Sequence, residues 1–157
     1  MNKTVGLLGI SEDITERRQL EDQVRQLAYD DVLTNLPNRR LLDDRLMQSM
    51  AASKRNRCHG AMLFLDLDKF KSLNDRHGHG HGAGDLLLQV VAERVKSFVR
   101  EIDTVARMGG DQFVVILEGL YLDNIISIKV TRDIAEKVRS SLAKPYFWQL
   151  VTMGKKN

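Results

Sequence analysis

Arg107-Met108-Gly109-Gly110-Asp111-Gln112-Phe113 stands between two short apolar runs, residues 104–108 and 113–118. Both runs have strand length and composition, and the two glycines between them let the backbone bend tightly. The spacing predicts a β-hairpin with its turn at Gly109-Gly110. A second acidic strand end lies upstream. Residues 61–66 are an apolar run that reads as a buried strand and opens the stretch Asp66-Leu67-Asp68-Lys69-Phe70-Lys71. If the first strand neighbours the hairpin, Asp66 and Asp111 converge.

The rest of the chain supplies helices around these strands. Residues 15–30 form a polar helix with Leu20, Val24 and Leu27 at a spacing of four, then three. That is a narrow seam of the coiled-coil kind. Thr34-Asn35-Leu36-Pro37-Asn38 breaks the chain, and Pro37 fits the first turn of a helix over roughly 38–52. Leu41, Leu42, Leu46 and Met50 share one face of it. A glycine-rich loop ends at Gly84, and Asp85 caps a helix over about 85–101 with Leu87, Val91, Val95 and Phe98 as its buried stripe. A further helix over about 122–143 carries Ile126, Val130, Ile134 and Val138 on one face and ends before Pro145. Residues 4–10 read as a short strand, and 146–153 as the start of another. The order strand, helix, hairpin, helix predicts an α+β fold: an antiparallel sheet with helices on one face, a ferredoxin-like or palm-like core. The fourth strand of such a core is absent or supplied only by 146–153, which predicts an open sheet edge.

Composition narrows the function classes. The chain has 157 residues, 43% of them hydrophobic and 29% charged, enough for one globular domain with a core. Its net charge of +3 is mild, and its densest basic cluster, Lys54-Arg55-Asn56-Arg57, is short. A nucleic-acid binder would carry a basic stripe instead. No apolar run approaches the ~20 residues that span a bilayer. The N-terminus lacks the apolar core of a secretion signal, and the lone Cys58 fits a reducing cytoplasm.

The two acidic tips suit one chemistry. Carboxylates and backbone carbonyls are ligands for Mg²⁺, which keeps substrate phosphates in its shell. Backbone N–H groups at 68–71 and the Lys71 ammonium can hold a triphosphate. The strand-end acid Asp66, read alone, is a turn residue; with the hairpin it becomes a candidate ligand.

These motifs resemble the GGDEF domain of diguanylate cyclases. The resemblance rests on Asp66-x-Asp-x-Phe-Lys-x-x-Asn-Asp, on Gly-His and Gly-Asp after it, on Arg107-x-Gly-Gly-Asp-x-Phe, and on the upstream Asp31-x-Leu-Thr-x-Leu-x-Asn-Arg39. It covers about residues 28–145. It implies a fold related to nucleotide cyclases and polymerase palms. The implied activity is condensation of two GTP into cyclic di-GMP between two GGDEF subunits, with Mg²⁺ or Mn²⁺. Asp66, the Leu67 carbonyl and Asp111 match the family's metal positions. Phe70 and Lys71 match its phosphate loop, and Asn74 and Asp85 match residues that read guanine. Arg100-Glu101-Ile102-Asp103 ends five residues before Gly109, at the offset of the family's inhibitory Arg-x-x-Asp site for cyclic di-GMP. A helix-end salt bridge is the plainer reading of that pair.

The N-terminal stretch Gly9-Ile10-Ser11-Glu12-Asp13-Ile14-Thr15-Glu16-Arg17 resembles the end of a PAS sensor domain. The implied organisation is a PAS-like tail over 1–14, a signalling linker helix over 15–30 and a GGDEF domain over 31–157. PAS and phosphodiesterase domains are the implied neighbours in a longer protein.

Three departures from the family pattern bear on activity. Gln112 replaces the second acid of the Gly-Gly-Asp/Glu-Glu-Phe signature, and an amide cannot accept a proton as a base. The loop Gly78-His79-Gly80-His81-Gly82-Ala83-Gly84-Asp85 repeats its Gly-His unit, and a two-residue insertion restores Asp85 to the guanine position. His77, His79 and His81 read as a solvated loop rather than a metal site. The family's Ser-Ile-Gly strand and final helix have no match in Met153-Gly154-Lys155-Lys156-Asn157, so the domain reads as incomplete at that end. Three readings stay open: a weakened cyclase, a degenerate module that binds GTP or cyclic di-GMP, and a fragment that only dimerises.

Overall fold

The computed structural model describes residues 15–68, 70–71 and 82–146. The PAS-like tail, the strand expected over 4–10, Asn74, the histidines of the loop and nearly all of 146–153 lie outside the described residues.

The sheet is built around Gln112–Leu117 (β3), which pairs antiparallel with Ala61–Asp66 (β1) on one side and Thr104–Gly109 (β2) on the other. Every residue from Phe113 to Leu117 is buried. A strand that is apolar without alternation must be covered on both faces. Phe113, Val115 and Leu117 pack with Leu88, Val91 and Val95 of helix α3 (Ala83–Lys96) and with Val138 of helix α4 (Asn124–Leu142). Val114 and Ile116 pack on the other face with Leu42 of helix α2 (Arg39–Asn56). The expected α+β fold is present, but its helices cover both faces rather than one.

The element order matches the sequence expectation, with shifts at the ends. The helix expected over 15–30 is α1, Thr15–Tyr29. Its seam residues Leu20, Val24 and Leu27 are all exposed. Pro37 lies ahead of α2 rather than in its first turn; Asn38 is the N-cap and accepts from the Arg40 and Leu41 amides. Helix α3 begins at Ala83 with Gly82 as N-cap, so Asp85 sits inside the first turn instead of capping it. There its charge faces the positive end of the helix dipole. Asp123 caps α4 by accepting from the Ile126 amide at 3.0 Å.

Arg94 ties α3 to the end of α4. Its guanidinium donates to the carbonyls of Ser141, Lys144 and Pro145 and stacks 4.0 Å from the Tyr146 ring centroid. The Ser141 carbonyl belongs to the last turn of α4, and those of Lys144 and Pro145 to the segment that leaves it.

The hairpin turn demands glycine for its backbone and not for space. Gly109 has φ 128° and Gly110 has φ 56°, and a Cβ built on either meets no atom within 4 Å. A residue with a side chain tolerates the second angle far better than the first. Gly109→Ala should therefore cost about 2 kcal/mol and Gly110→Ala about 1 kcal/mol in urea unfolding. Equal costs would contradict this account of the turn.

Candidate functional site

The register of β1 on β3 sets Asp66 directly opposite Gln112. Directly opposed residues of an antiparallel pair project from the same face. The Gln112 Nε2 donates to Asp66 Oδ2 at 3.4 Å, and both side chains are exposed. Asp111 occupies the turn immediately before Gln112 and is half-buried. Three of the residues singled out from the sequence thus meet at one end of the sheet. Leu67 follows Asp66, and its carbonyl accepts from the Phe70 amide at 3.3 Å. The Leu67 and Phe70 side chains pack against the core, while Lys71 is exposed.

A frame behind the turn holds these tips in place. Arg107 donates through Nε and Nη2 to the Gly110 carbonyl at 3.0 and 2.7 Å. Its Nη1 donates to both oxygens of Asp31 at 2.9 and 3.0 Å. Asp31 also accepts from the Thr34 amide and hydroxyl at 2.9 and 2.7 Å. The Arg107 amide donates to the Pro37 carbonyl, and Asn38 Nδ2 donates to the Ala28 carbonyl at the end of α1. One chain of hydrogen bonds therefore runs from the end of α1 to the Gly-Gly turn. Asp31 and Arg107 were visible in the sequence only as motif letters. Their separation by 76 positions hid the pairing.

Arg100 and Asp103 lie at the other end of the same hairpin. Asp103 precedes β2, and its carboxylate accepts from the Glu118 amide just past β3. A strand of this length separates the pair from the Gly-Gly turn by about 20 Å. Asp103 also accepts from the Arg100 amide, Nε and Nη2, at 2.9, 3.1 and 2.8 Å. The Asp103 side chain is 0% exposed and that of Arg100 is 51% exposed. Arg100 Nη2 further donates to the Glu118 carbonyl. The pair closes the turn between α3 and β2, as the plainer reading expected.

Asp31 and Asp103 are both held below the ordinary carboxylate range. Burial by itself would raise Asp31, but hydrogen bonds from Thr34 and Arg107 outweigh it. Burial would likewise raise Asp103, and the bonds from Arg100 and the Glu118 amide outweigh it. Their folded values lie below the ordinary 3.8, so the unfolded chain takes up these protons first as pH falls. The stability they supply is complete above that value and is lost as pH drops through their folded values. Urea midpoints should hold level down to about pH 5 and fall steeply below about pH 4. Asp103→Asn should flatten part of that fall; an unchanged acid limb would remove Asp103 from the account.

The donor set at the tips fits a hard divalent cation. Asp66, Asp111 and the Leu67 carbonyl offer oxygen only. Among the described residues no three His, Cys, Asp or Glu side chains cluster as a metal site. Two carboxylates supply part of a coordination shell, and phosphate oxygens and water would supply the rest. Asp85 is half-buried in the first turn of α3.

Comparison with known proteins gives one consistent family. The family model described as diguanylate cyclase, GGDEF domain, matches residues 28–149. The chain is 46% identical over 121 residues to the bifunctional diguanylate cyclase/cyclic di-GMP phosphodiesterase MucR of Pseudomonas aeruginosa, covering 77% of this chain and 16% of that protein. It is 34% identical over 148 residues to a diguanylate cyclase of Vibrio cholerae, covering 94% and 44%. The chain thus spans less than half the length of these curated relatives. Among solved structures, the GGDEF domain of TpbB from Pseudomonas aeruginosa aligns with TM-score 0.67 and 39% identity over 74% of this chain and 64% of that one. The coiled coil and GGDEF domain of DgcB from Caulobacter crescentus, solved with cyclic di-GMP, aligns with TM-score 0.74 and 28% identity over 89% and 69%.

Proposed function

The chain belongs to the GGDEF diguanylate cyclase domain family, and from that membership we propose that it binds GTP at the Asp66–Asp111 tip and condenses two GTP into cyclic di-GMP, slowly. The observation that carries the reading is the β1–β3 register, which brings the acid of the first strand to the glycine turn. In this reading Asp66, the Leu67 carbonyl and Asp111 hold Mg²⁺ or Mn²⁺, which neutralises phosphate charge. Phe70 and Lys71 form the phosphate loop. Asn74 and Asp85 read the guanine edge.

Two domains face each other in the reaction. The 3′-hydroxyl oxygen of one GTP forms a bond to the α-phosphorus of the other. The bond from that phosphorus to the bridging oxygen breaks, and pyrophosphate leaves. The 3′-hydroxyl proton needs an acceptor, and the Gln112 amide offers none. That lack is the reason for slow turnover. It also favours a second reading, in which the domain binds GTP or cyclic di-GMP as a receptor without turnover. Arg100 and Asp103 are the product site in either reading, and product must compete there with the Glu118 carbonyl and amide. The exposed α1 seam fits a homodimer aligned by the linker helix. PAS and phosphodiesterase domains are the proposed neighbours, and the cytoplasm the proposed compartment. No helix among the described residues is long and apolar enough to cross a membrane.

The test is product formation from GTP with Mg²⁺ or Mn²⁺, followed by chromatography. Cyclic di-GMP that disappears with Asp66→Ala supports the cyclase. Nucleotide binding that depends on Asp66, with no product, leaves the receptor reading.

A further inference from the structure

Gln112 faces Asp66 as a register pair at the tip of the sheet, and it is a donor where an acid would be only an acceptor. Two carboxylates directly opposite one another on antiparallel strands repel. A cation between them would relieve that repulsion. With glutamine at 112 the same two positions attract: the amide N–H meets the carboxylate, and the formal charge of the tip falls by one. We propose that Gln112 is a positioning residue that joins β1 to β3 through Asp66 without metal, so that the tip stays ordered metal-free and takes up a divalent cation only together with nucleotide phosphates. The proposal rests on the reading of Asp66 and Asp111 as the cation site.

Three observations carry the argument together. The Asp66–Gln112 contact is made across the last pair of the β1–β3 ladder; Gln112 is also paired with Gly109 of β2, so this contact ties the end of β1 to a tip the hairpin already holds. The two remaining protein ligands, the Asp111 carboxylate and the Leu67 carbonyl, belong to the turn and to the segment after β1, and the Leu67 carbonyl already accepts from the Phe70 amide. No third acid, histidine or cysteine among the described residues completes a shell there. A site with two acids and a committed amide is short of ligands until phosphate arrives.

The experiment is thermal melting of the full chain in EDTA, in excess MnCl₂, and in MnCl₂ with a non-hydrolysable GTP analogue. The native protein should melt at the same temperature in EDTA and in MnCl₂, within about 1 °C, and should rise by about 5 °C when the analogue is added. Gln112→Glu should melt about 2 °C lower in EDTA and recover by more than that in MnCl₂ alone. Gln112→Met, equal in length without a donor, should melt lower in EDTA and gain nothing from MnCl₂. The proposal is overturned if the native protein gains as much from MnCl₂ alone as Gln112→Glu does, or if Gln112→Met melts like the native chain. Adding Asp66→Ala to Gln112→Glu separates the two levels. Loss of the MnCl₂ response places the cation at the tip. A response that survives places it elsewhere and removes the premise along with the proposal. A native chain that ignores the analogue, while Gln112→Glu responds to MnCl₂ as stated, refutes nucleotide binding and leaves the strand clamp standing.

Discussion

Gln112→Glu should raise the rate of cyclic di-GMP formation by about 10²–10⁴-fold, the usual range for a positioned general base. The reaction strips a proton from a ribose hydroxyl while its oxygen bonds phosphorus. A carboxylate can take that proton and an amide cannot. Residue 112 is well placed for the exchange. It is exposed at the start of β3, faces Asp66, and follows Asp111 directly. Nothing packs over it, so glutamate enters without displacing core atoms. The side-chain length is the same. The change therefore tests chemistry at small cost to the fold.

The readout is the initial rate with GTP and excess Mg²⁺ or Mn²⁺, taken across pH. The glutamate variant should show an ascending limb set by its new carboxylate, and the native chain should lack that limb. Gln112→Ala should be no faster than the native protein. Equal rates for native and Gln112→Glu, with circular dichroism unchanged, would show that residue 112 does not limit turnover. The cost of the substitution to the metal-free fold is small beside this gain. On this proposal, residue 112 sets the stability of the metal-free tip against the proton transfer that the condensation of GTP needs.

Much of this layout was readable from residue order, and the failures have physical causes. The strand that the sequence predicts over 61–66 is found there, because the five-residue apolar run between Gly60 and Asp66 allows little else. The hairpin was fixed by its paired glycines. Helix ends were less legible. α2 runs on to Asn56 because Arg57 closes it in the left-handed conformation at φ 52°, a role usually signalled by glycine. α3 stops at Lys96 because the Arg100–Asp103 pair closes the following turn, and Phe98 then lies beyond the helix and off its stripe. Met50 and Ile126, which share the apolar faces of their helices, are exposed. Helix periodicity marks a face, and it does not say how far the sheet beneath extends. Coverage of both sheet faces was implicit in the unbroken apolar run of β3. The long-range ion pair from Asp31 to Arg107 had no periodic signature at all. Asn74, the histidine loop and the segment after Tyr146 remain expectations from the sequence.

Asp31→Ala should destabilise the domain by about 3 kcal/mol and, in the faster Gln112→Glu background, slow product formation by about 10²-fold. The stability term follows from what the carboxylate holds. The Asp31 and Arg107 side chains are 21% and 11% exposed, so the pair is largely withdrawn from solvent. Removing one member leaves a guanidinium short of its partner and a buried Thr34 hydroxyl without its acceptor. A fully buried pair broken in this way costs about 3–5 kcal/mol, and partial exposure sets the lower end here. The kinetic term follows from the other side of Arg107. Its Nε and Nη2 hold the Gly110 carbonyl, and with it the turn that presents Asp111 and residue 112. A turn freed by an ångström misplaces the reacting groups. Arg107→Lys should show most of the same loss, since a lysine ammonium cannot hold a carboxylate and a carbonyl in one planar fork. A double-mutant cycle decides the matter. If the pair acts as a unit, Asp31→Ala and Arg107→Ala together should cost little more than either alone. Additive losses would mean that Asp31 serves only its own loop and does not act on the turn through the Arg107 side chain.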